Sequence, residues 1–444
     1  MTSVHCGRRN RSQFGVAVSR LLSLVAAVAA VVMSANVAAA APPPRTIAES
    51  DLQHYVDLNQ DQFGGIYLDA DSHTVHVNVT SAVTIMASHY LQGFGSITAT
   101  DQSRGAMSIH VQRVPYSTAQ LNTVMKEITT RQPWADQSKS VLISWGVDPR
   151  TDKVLVGLTT VTPELRAAAA QAFGDTVALT QADRLKFAVK KTTLDRPLKT
   201  AEVTRSAAFS PQVTDNPRLL DSTPYYGGDR IFREVGSNSI IQCTTSFEWT
   251  GPAMVTAGHC GGANETWYQG YLDEGDNTAY YSGTMGIANR VAFGNGQVDG
   301  ATLTDPLGPP GGIWAAKVWA NPAVVYRVMG TTGTNSVGDN VCFDGSFTNQ
   351  SCGAIIQQAR VCTNVDDDGT TVTVCGVDIA RSTGPRITQP GDSGGPVFGS
   401  IDAVNNFVKV AGIISAGSDD GLTGVFTDLG SFQQTFGGGV QIDQ

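Results

Sequence analysis

Residues 390–398 read PGDSGGPVF, with Ser393 held between an aspartate and two glycines. Such a tight loop can be plain surface, or it can hold a hydroxyl where backbone N–H groups reach an oxyanion. A free hydroxyl is a poor nucleophile at neutral pH, so the second use requires a base. The chain has seven histidines, and only His259 lies beyond residue 110. If the C-terminal half works alone, its imidazole base is His259, in VTAGHC (255–260). A buried carboxylate should then orient the ring. Asp299 in VDGATL (298–303) fits best because it borders an apolar run, whereas Asp276 and Asp305 sit in polar or Pro-containing turns. With one histidine in this half, a histidine-based metal site is not expected there.

The chain has 444 residues, room for two or three domains, and a net charge of -9, which argues against nucleic acid as a main partner. Residues 1–41 read as a secretory signal peptide. Arg8, Arg9, Arg11 and Arg20 form a basic start, Leu21–Met33 is an apolar core, and Ala38–Ala41 supplies small residues for cleavage. The protein is therefore expected outside the cell and free of the membrane after signal removal. Losing Cys6 with that segment leaves Cys243, Cys260, Cys342, Cys352, Cys362 and Cys375. An even set in an exported chain reads as three disulfides, among 15 possible connectivities. A Cys243–Cys260 bond would tie the histidine loop to the preceding strand.

Charge divides the remainder. Residues 42–224 carry 17 basic and 18 acidic side chains, and residues 225–444 carry 9 and 21. The first part mixes signals: TVHVNV (74–79) and VLV (154–156) alternate as strands, and PELRAAAAQA (163–172) predicts a helix with Pro and Glu in its first turn. LDADSHTVHVNVT (68–80) and GVDPRTDKVLVGLTT (146–160) share an Asp-containing turn followed by apolar alternation, a weak internal duplication. Residues 181–224 lose periodicity, gain Lys and Arg, and read as an exposed, protease-sensitive linker. From Tyr225 onward, short strands such as IFREV, AMVTA, TVTVCGV and VKVAGIIS alternate with turn residues, the pattern of an all-β barrel or sandwich.

VTAGHC, VDGATL and PGDSGGPVF, in that order, resemble a chymotrypsin-like serine protease of the secreted bacterial streptogrisin and α-lytic protease branch. The resemblance covers residues 225–444, starting at GGDRIF (227–232), and extends loosely to a long N-terminal part. It implies two antiparallel six-stranded β-barrels preceded by an α+β pro-region (42–180) and a processing linker (181–224). It implies a Ser-His-Asp triad of Ser393, His259 and Asp299 hydrolysing protein or peptide substrates without a cofactor, and an oxyanion hole from the N–H groups of Gly391 and Ser393. Its pro-region would assist folding and then inhibit. SAGSDD (415–420) and TGVFTDL (423–429) are similar to the substrate wall, so Ser415, Ala416 and Gly417 would pair with substrate backbone and Gly424 would line the primary pocket. No acidic residue lies between Asp378 and Asp392, and no second histidine is available, so a small or apolar primary residue is expected, with Arg386 near the pocket. Leu220 and Tyr225 are apolar candidates for the cleaved side if the chain processes itself. A non-catalytic relative of the same fold is the rival, but such relatives commonly lose a triad member and all three residues are present.

The chain departs from the family in three places. The loop RITQPGDS (386–393) lacks the cysteine that often precedes the nucleophile. Cys342–Cys352 matches a family loop, whereas Cys362–Cys375 would close a hairpin around Asp368-Gly369 outside the family pattern. The arginine that pairs in that branch with the aspartate before the nucleophile is replaced by Phe343. Asp392 then needs another partner, with Arg327, Arg360, Arg381, Arg386 or a new N-terminus as candidates. In the last case maturation would itself assemble the site. NVDDDGT (364–370) imitates a calcium loop but has Cys375 where the twelfth-position Glu belongs, so it reads as a hairpin tip.

Overall fold

The computed structural model describes residues 45–69, 71–80, 97–101, 105–132, 140–195, 199–200, 216–221, 223–236, 238–273, 275, 277–305, 313–320 and 324–443. The expected signal segment, 1–41, and the alternative carboxylate Asp276 lie outside them. Within the described residues the protein is mostly β-sheet. Residues 45–444 form one compact unit, and no described helix is long and apolar enough to cross a membrane.

The weak duplication has a structural counterpart. Phe63–Asp69 and Thr74–Val79 form one antiparallel hairpin, Leu142–Asp148 and Lys153–Leu158 the other. In each turn the aspartate that ends the first strand accepts backbone N–H groups two or three residues on. Asp69 takes those of Asp71 and Ser72, and Asp148 that of Arg150. Each turn also holds one non-glycine residue at positive φ, His73 at 49° and Asp152 at 52°. Each second strand is then joined in parallel by a later one, Gly105–Arg113 and Val177–Gln181 respectively. Helix Pro163–Phe173 forms where expected: Thr162 accepts the Leu165 N–H at its start, and Leu165, Ala169 and Phe173 bury one face. Helix Thr118–Thr130, not foreseen, starts on a reciprocal Ser117–Gln120 capping box.

Two larger sheets carry the C-terminal half. A nine-stranded sheet includes Ser239–Thr244, Ala253–Thr256, Thr278–Ala292 and Gly300–Thr304. A thirteen-stranded sheet includes Asn340–Gly345, Asn349–Asp367, Thr370–Arg381, Pro396–Asp402, Phe407–Ser418 and Thr423–Asp428, and also takes in the second N-terminal hairpin. An apolar core joins Phe247, Val255 and Val298 to Phe398, Val410 and Phe432. Cys243–Cys260, Cys342–Cys352 and Cys362–Cys375 are all bonded, which fits an oxidising compartment. Asp368 and Gly369 both have positive φ, 50° and 88°, as a two-residue hairpin turn requires.

The stretch 181–224 is not the uniformly exposed linker that its composition suggests. Leu185–Phe187 and Lys190–Thr193 are strands, and Leu185, Phe187, Ala188, Leu194, Arg218 and Leu219 are buried. Alternation over three or four residues is too short to register as a period. Arg218 is 0% exposed. Its Nη2 lies 2.6 Å from both carboxylate oxygens of Asp344, and its guanidinium also donates to the carbonyls of Gly345 (2.9 Å) and Trp319 (2.5 Å). Burial raises the Asp344 carboxyl to about 6, with Arg218 pulling it down and the neighbouring Asp392 pushing it up. Removing one partner of such a pair strands the other charge out of water. Arg218→Ala in a Ser393→Ala background is expected to lose about 3–5 kcal/mol of unfolding free energy in urea titration. Arg218→Met combined with Asp344→Leu should recover most of it, because apolar packing replaces both charges at once.

Candidate active site

His259 lies in a single 3₁₀ turn, Gly258–Cys260, directly after strand Ala253–Thr256. The turn is pinned from both ends. Cys260 is bonded to Cys243, and Gly258 packs so closely that an added Cβ would sit 2.2 Å from the Ala292 carbonyl oxygen. Asp299 immediately precedes strand Gly300–Thr304, which pairs with Ala253–Thr256. Sheet pairing therefore brings the two side chains together across 40 residues of sequence.

The Asp299 carboxylate grips His259 twice. Oδ1 accepts the His259 backbone N–H at 2.9 Å, and Oδ2 meets ring Nδ1 at 2.6 Å. The Ser415 hydroxyl donates to Oδ2 at 2.5 Å. Burial pushes this carboxyl up, but the charge of His259, hydrogen bonds from its ring and backbone, and the Ser415 hydroxyl outweigh it and hold the group below its ordinary value. On the far side of the ring, Nε2 lies 2.7 Å from Ser393 Oγ, which also reaches the Ser415 carbonyl at 3.1 Å. Asp299, not the other described alternative Asp305, is the carboxylate that makes these contacts.

The loop before Ser393 needs its glycines. Gly391 has φ +104° and a Cβ there would lie 2.2 Å from the Phe347 ring; Gly394 has φ +87° and a Cβ would meet Thr256 Oγ1 at 2.1 Å. Asp392 is fully buried, and neutral donors satisfy it. Phe347 and Thr348 N–H groups donate to Oδ1 at 3.0 Å each, and Gln389 N–H (2.8 Å) and the Thr348 hydroxyl donate to Oδ2. Burial raises its carboxyl above the ordinary value, and these donors oppose the shift. The expectation of an arginine on Asp392 is thus corrected. Arg327 pairs with Asp443, Arg381 with Asp183 and Arg360 with Asp57, and Arg386 bonds to the Asp419 and Asp420 carbonyls. Nor does loop assembly wait for a new N-terminus. In the uncut chain the N–H groups of Gly391 and Ser393 already converge on one acceptor, the carbonyl of Ala188, at 2.6 and 3.0 Å.

That acceptor was not legible in the sequence. Strand Leu185–Phe187 runs antiparallel to Ala416–Ser418, and the Ala188 N–H continues the ladder to the Ser415 carbonyl at 3.1 Å. Ser415, Ala416 and Gly417, expected to pair with substrate, here pair with an extended segment of the chain itself. The Phe187 ring stacks on His259 with centroids 4.3 Å apart. Gly424 faces the buried ring of Phe343: a Cβ on Gly424 would lie 2.6 Å from that ring. Phe343, which fills the position of the expected arginine, thus closes in on the expected pocket. Leu220 and Tyr225 lie outside this arrangement, Tyr225 being buried in a strand that pairs with Trp314–Trp319. The one cluster of metal-type ligands among the described residues, Cys243, His259 and Cys260, has both sulfurs in a disulfide and so offers no thiolate.

No family model matches the chain, and no curated protein does. Among solved structures, the chain is similar to a chymotrypsin of Cellulomonas bogoriensis (24% identity, TM-score 0.36), a Nocardiopsis protease (22%, 0.35) and protease A of Thermobifida fusca (18%, 0.34). Each match covers 49% of this chain and 98% of the other.

The opposed influences on Asp299 have a measurable consequence. With His259 in place the carboxyl is depressed, so its contribution to stability is present above the unfolded-state value near pH 4 and is lost as pH falls further. In His259→Ala the charge partner and the ring hydrogen bond are lost, while the backbone N–H and the Ser415 hydroxyl still donate, so burial, the largest influence, prevails and the carboxyl rises. Its contribution is then present at low pH and lost as pH increases. The stability gap between His259→Ala and its parent, both carrying Ser393→Ala, should widen from pH 4.5 to pH 7 in urea titrations. A constant gap would count against the pairing.

Proposed function

We propose that residues 225–444 form a secreted serine endopeptidase of the streptogrisin and α-lytic protease branch. The precursor would carry a signal peptide (1–41), a pro-region (42–180) and a processing linker (181–224). In this reading there are two barrels, with His259 and Asp299 next to strands Ala253–Thr256 and Gly300–Thr304 of the nine-stranded sheet and Ser393 just before strand Pro396–Asp402 of the thirteen-stranded one. The observation that carries the proposal is convergence at a single peptide carbonyl. Two backbone N–H groups donate to the oxygen of Ala188, while the adjacent Ser393 hydroxyl is hydrogen-bonded to an imidazole that a buried carboxylate orients.

Each group then has one task. Asp299 holds the His259 ring with Nε2 free to accept and stabilises the imidazolium that forms. Ser393 Oγ attacks the substrate carbonyl carbon and its proton passes to Nε2. Negative charge that develops on the carbonyl oxygen is met by the N–H groups of Gly391 and Ser393, each such donor being worth about 3 kcal/mol. His259 returns the proton to the departing nitrogen, and water, deprotonated in the same way, frees the acyl-enzyme. Substrate backbone would lie along Ser415–Gly417, as Leu185–Ala188 does. The primary pocket beside Gly424 is narrowed by the Phe343 ring and favours a small or apolar side chain.

A fluorophosphonate probe on processed protein is expected to label Ser393, mapped by peptide mass, and to lose that label in His259→Ala. Asp299→Asn should keep the fold and lower kcat by about 10⁴-fold, since the ring loses its orienting anion. Absence of label on folded, processed protein would bring the non-catalytic reading forward. Phe343→Ala should raise kcat/KM for peptides with leucine or phenylalanine before the cleaved bond relative to alanine, and an unchanged ratio would exclude Phe343 as the pocket floor.

A further inference from the structure

From the path of Leu185–Thr193 through the cleft, we infer that the bond Ala188–Val189 is cut by this chain's own Ser393, and that the protease product begins at Val189 rather than near Tyr225. The inference rests on the endopeptidase reading and adds the site, the order of events and the part of the linker that stays.

The segment is held on both sides of one bond. Upstream, Phe187, Lys186 and Leu185 pair antiparallel with Ala416, Gly417 and Ser418. Downstream, Lys190–Thr193 pair antiparallel with Gln242–Ser239 on the nine-stranded sheet, and the Leu194 N–H donates to the Asn238 carbonyl at 2.7 Å. Between the two ladders lies Ala188, whose carbonyl is the one both Gly391 and Ser393 address. Its methyl suits a pocket closed by Phe343, and Phe187 covers His259. Side chains add to the hold: Lys186 pairs with Asp419, and Lys191 with Asp367 and Asp368.

Attack by Ser393 Oγ on the Ala188 carbonyl carbon breaks the bond to Val189 nitrogen. The serine proton travels through His259 Nε2 to that nitrogen, which leaves as an amine. Water then displaces Oγ, His259 carrying one water proton back to the serine, and Ala188 ends as a carboxylate. One water is consumed and no oxidant or other reactant is needed. After the cut both new ends remain strand-paired. The piece ending at Ala188 blocks the cleft as bound product, and the piece starting at Val189 keeps Lys190–Thr193 on its sheet. Arg218, wholly buried against Asp344, explains why the residues before Tyr225 stay with the protease. Trimming at 224 would remove that cation and leave the carboxylate stranded.

The test uses the full exported chain, wild type, Ser393→Ala and Ala188→Asp, purified from an oxidising host. Cleavage is followed by intact mass and N-terminal sequencing over a range of protein concentrations, with fluorophosphonate labelling of Ser393 in parallel. The expected result is a wild-type product beginning at Val189, formed at a concentration-independent rate and absent from Ser393→Ala. Ala188→Asp, which forces a charge into the closed pocket, should slow that product by on the order of 100-fold. A Ser393-dependent terminus elsewhere, or labelled protein with no cut, overturns the site and leaves the endopeptidase standing. So does an undiminished rate in a folded Ala188→Asp chain. Neither label nor cut in the folded wild-type chain overturns both readings.

Discussion

A carboxylate shut away from solvent beside Ser393 sets the terms for the whole site. Asp392 sits one residue before Ser393, and each of its oxygens is tied to neutral donors on either side, Phe347 and Thr348 from one loop and Gln389 from its own. Those ties hold the backbone in the conformation that turns the N–H groups of Gly391 and Ser393 toward one point. The Phe347–Thr348 loop is itself closed by the Cys342–Cys352 bond. Arg218 and Asp344 stand directly behind it, Gly345 being in contact with Asp392. A single buried acid thus links a disulfide loop, a stretch far upstream in sequence and the N–H groups of Gly391 and Ser393.

The use of neutral donors has consequences for maturation. A site whose loop depended on a newly released amino group would be unformed in the precursor. Here the donors all come from the chain as synthesised, and the loop is already ordered around a peptide carbonyl. On the proposed reading, what restrains the uncut protein is occupancy of the cleft rather than an incomplete site. The same backbone ladder that would recognise a substrate, at Ser415–Ser418, holds Leu185–Ala188 instead. The energetic logic is that of an intramolecular ligand, whose effective concentration no free peptide easily matches.

The N-terminal part contributes through docking as well. Its second hairpin joins the larger sheet at Cys362 and Thr363, next to the Cys362–Cys375 bond. Gln53 donates to Asp57 and accepts from Ser336, and Asp57 pairs with Arg360, whose own backbone N–H is accepted by buried Asp378. These contacts tie helix Glu49–Leu58 to strand Asn349–Asp367. Burial and the neighbouring Asp428 carboxylate raise Asp378 to about 8, so this junction is most stable when that proton is kept.

Local chemistry wrote much of this protein into its sequence. A histidine without rivals, a glycine-framed serine, an Asp-Gly turn and an even set of six cysteines are visible in residue types and local spacing, although the spacing alone left the cysteine pairing open. His259, Asp299 and Ser393 were named that way, as were the short strands from Tyr225 onward and the helix from Pro163. Tertiary structure alone decided what lies in the cleft and what answers the buried charges. Leu185–Ala188 is too short to show a period, Arg218 looks like any linker cation, and the donors to Asp392 are backbone groups that every residue carries. Such partners are selected by the meeting of distant strands under exclusion of water, which no local pattern records.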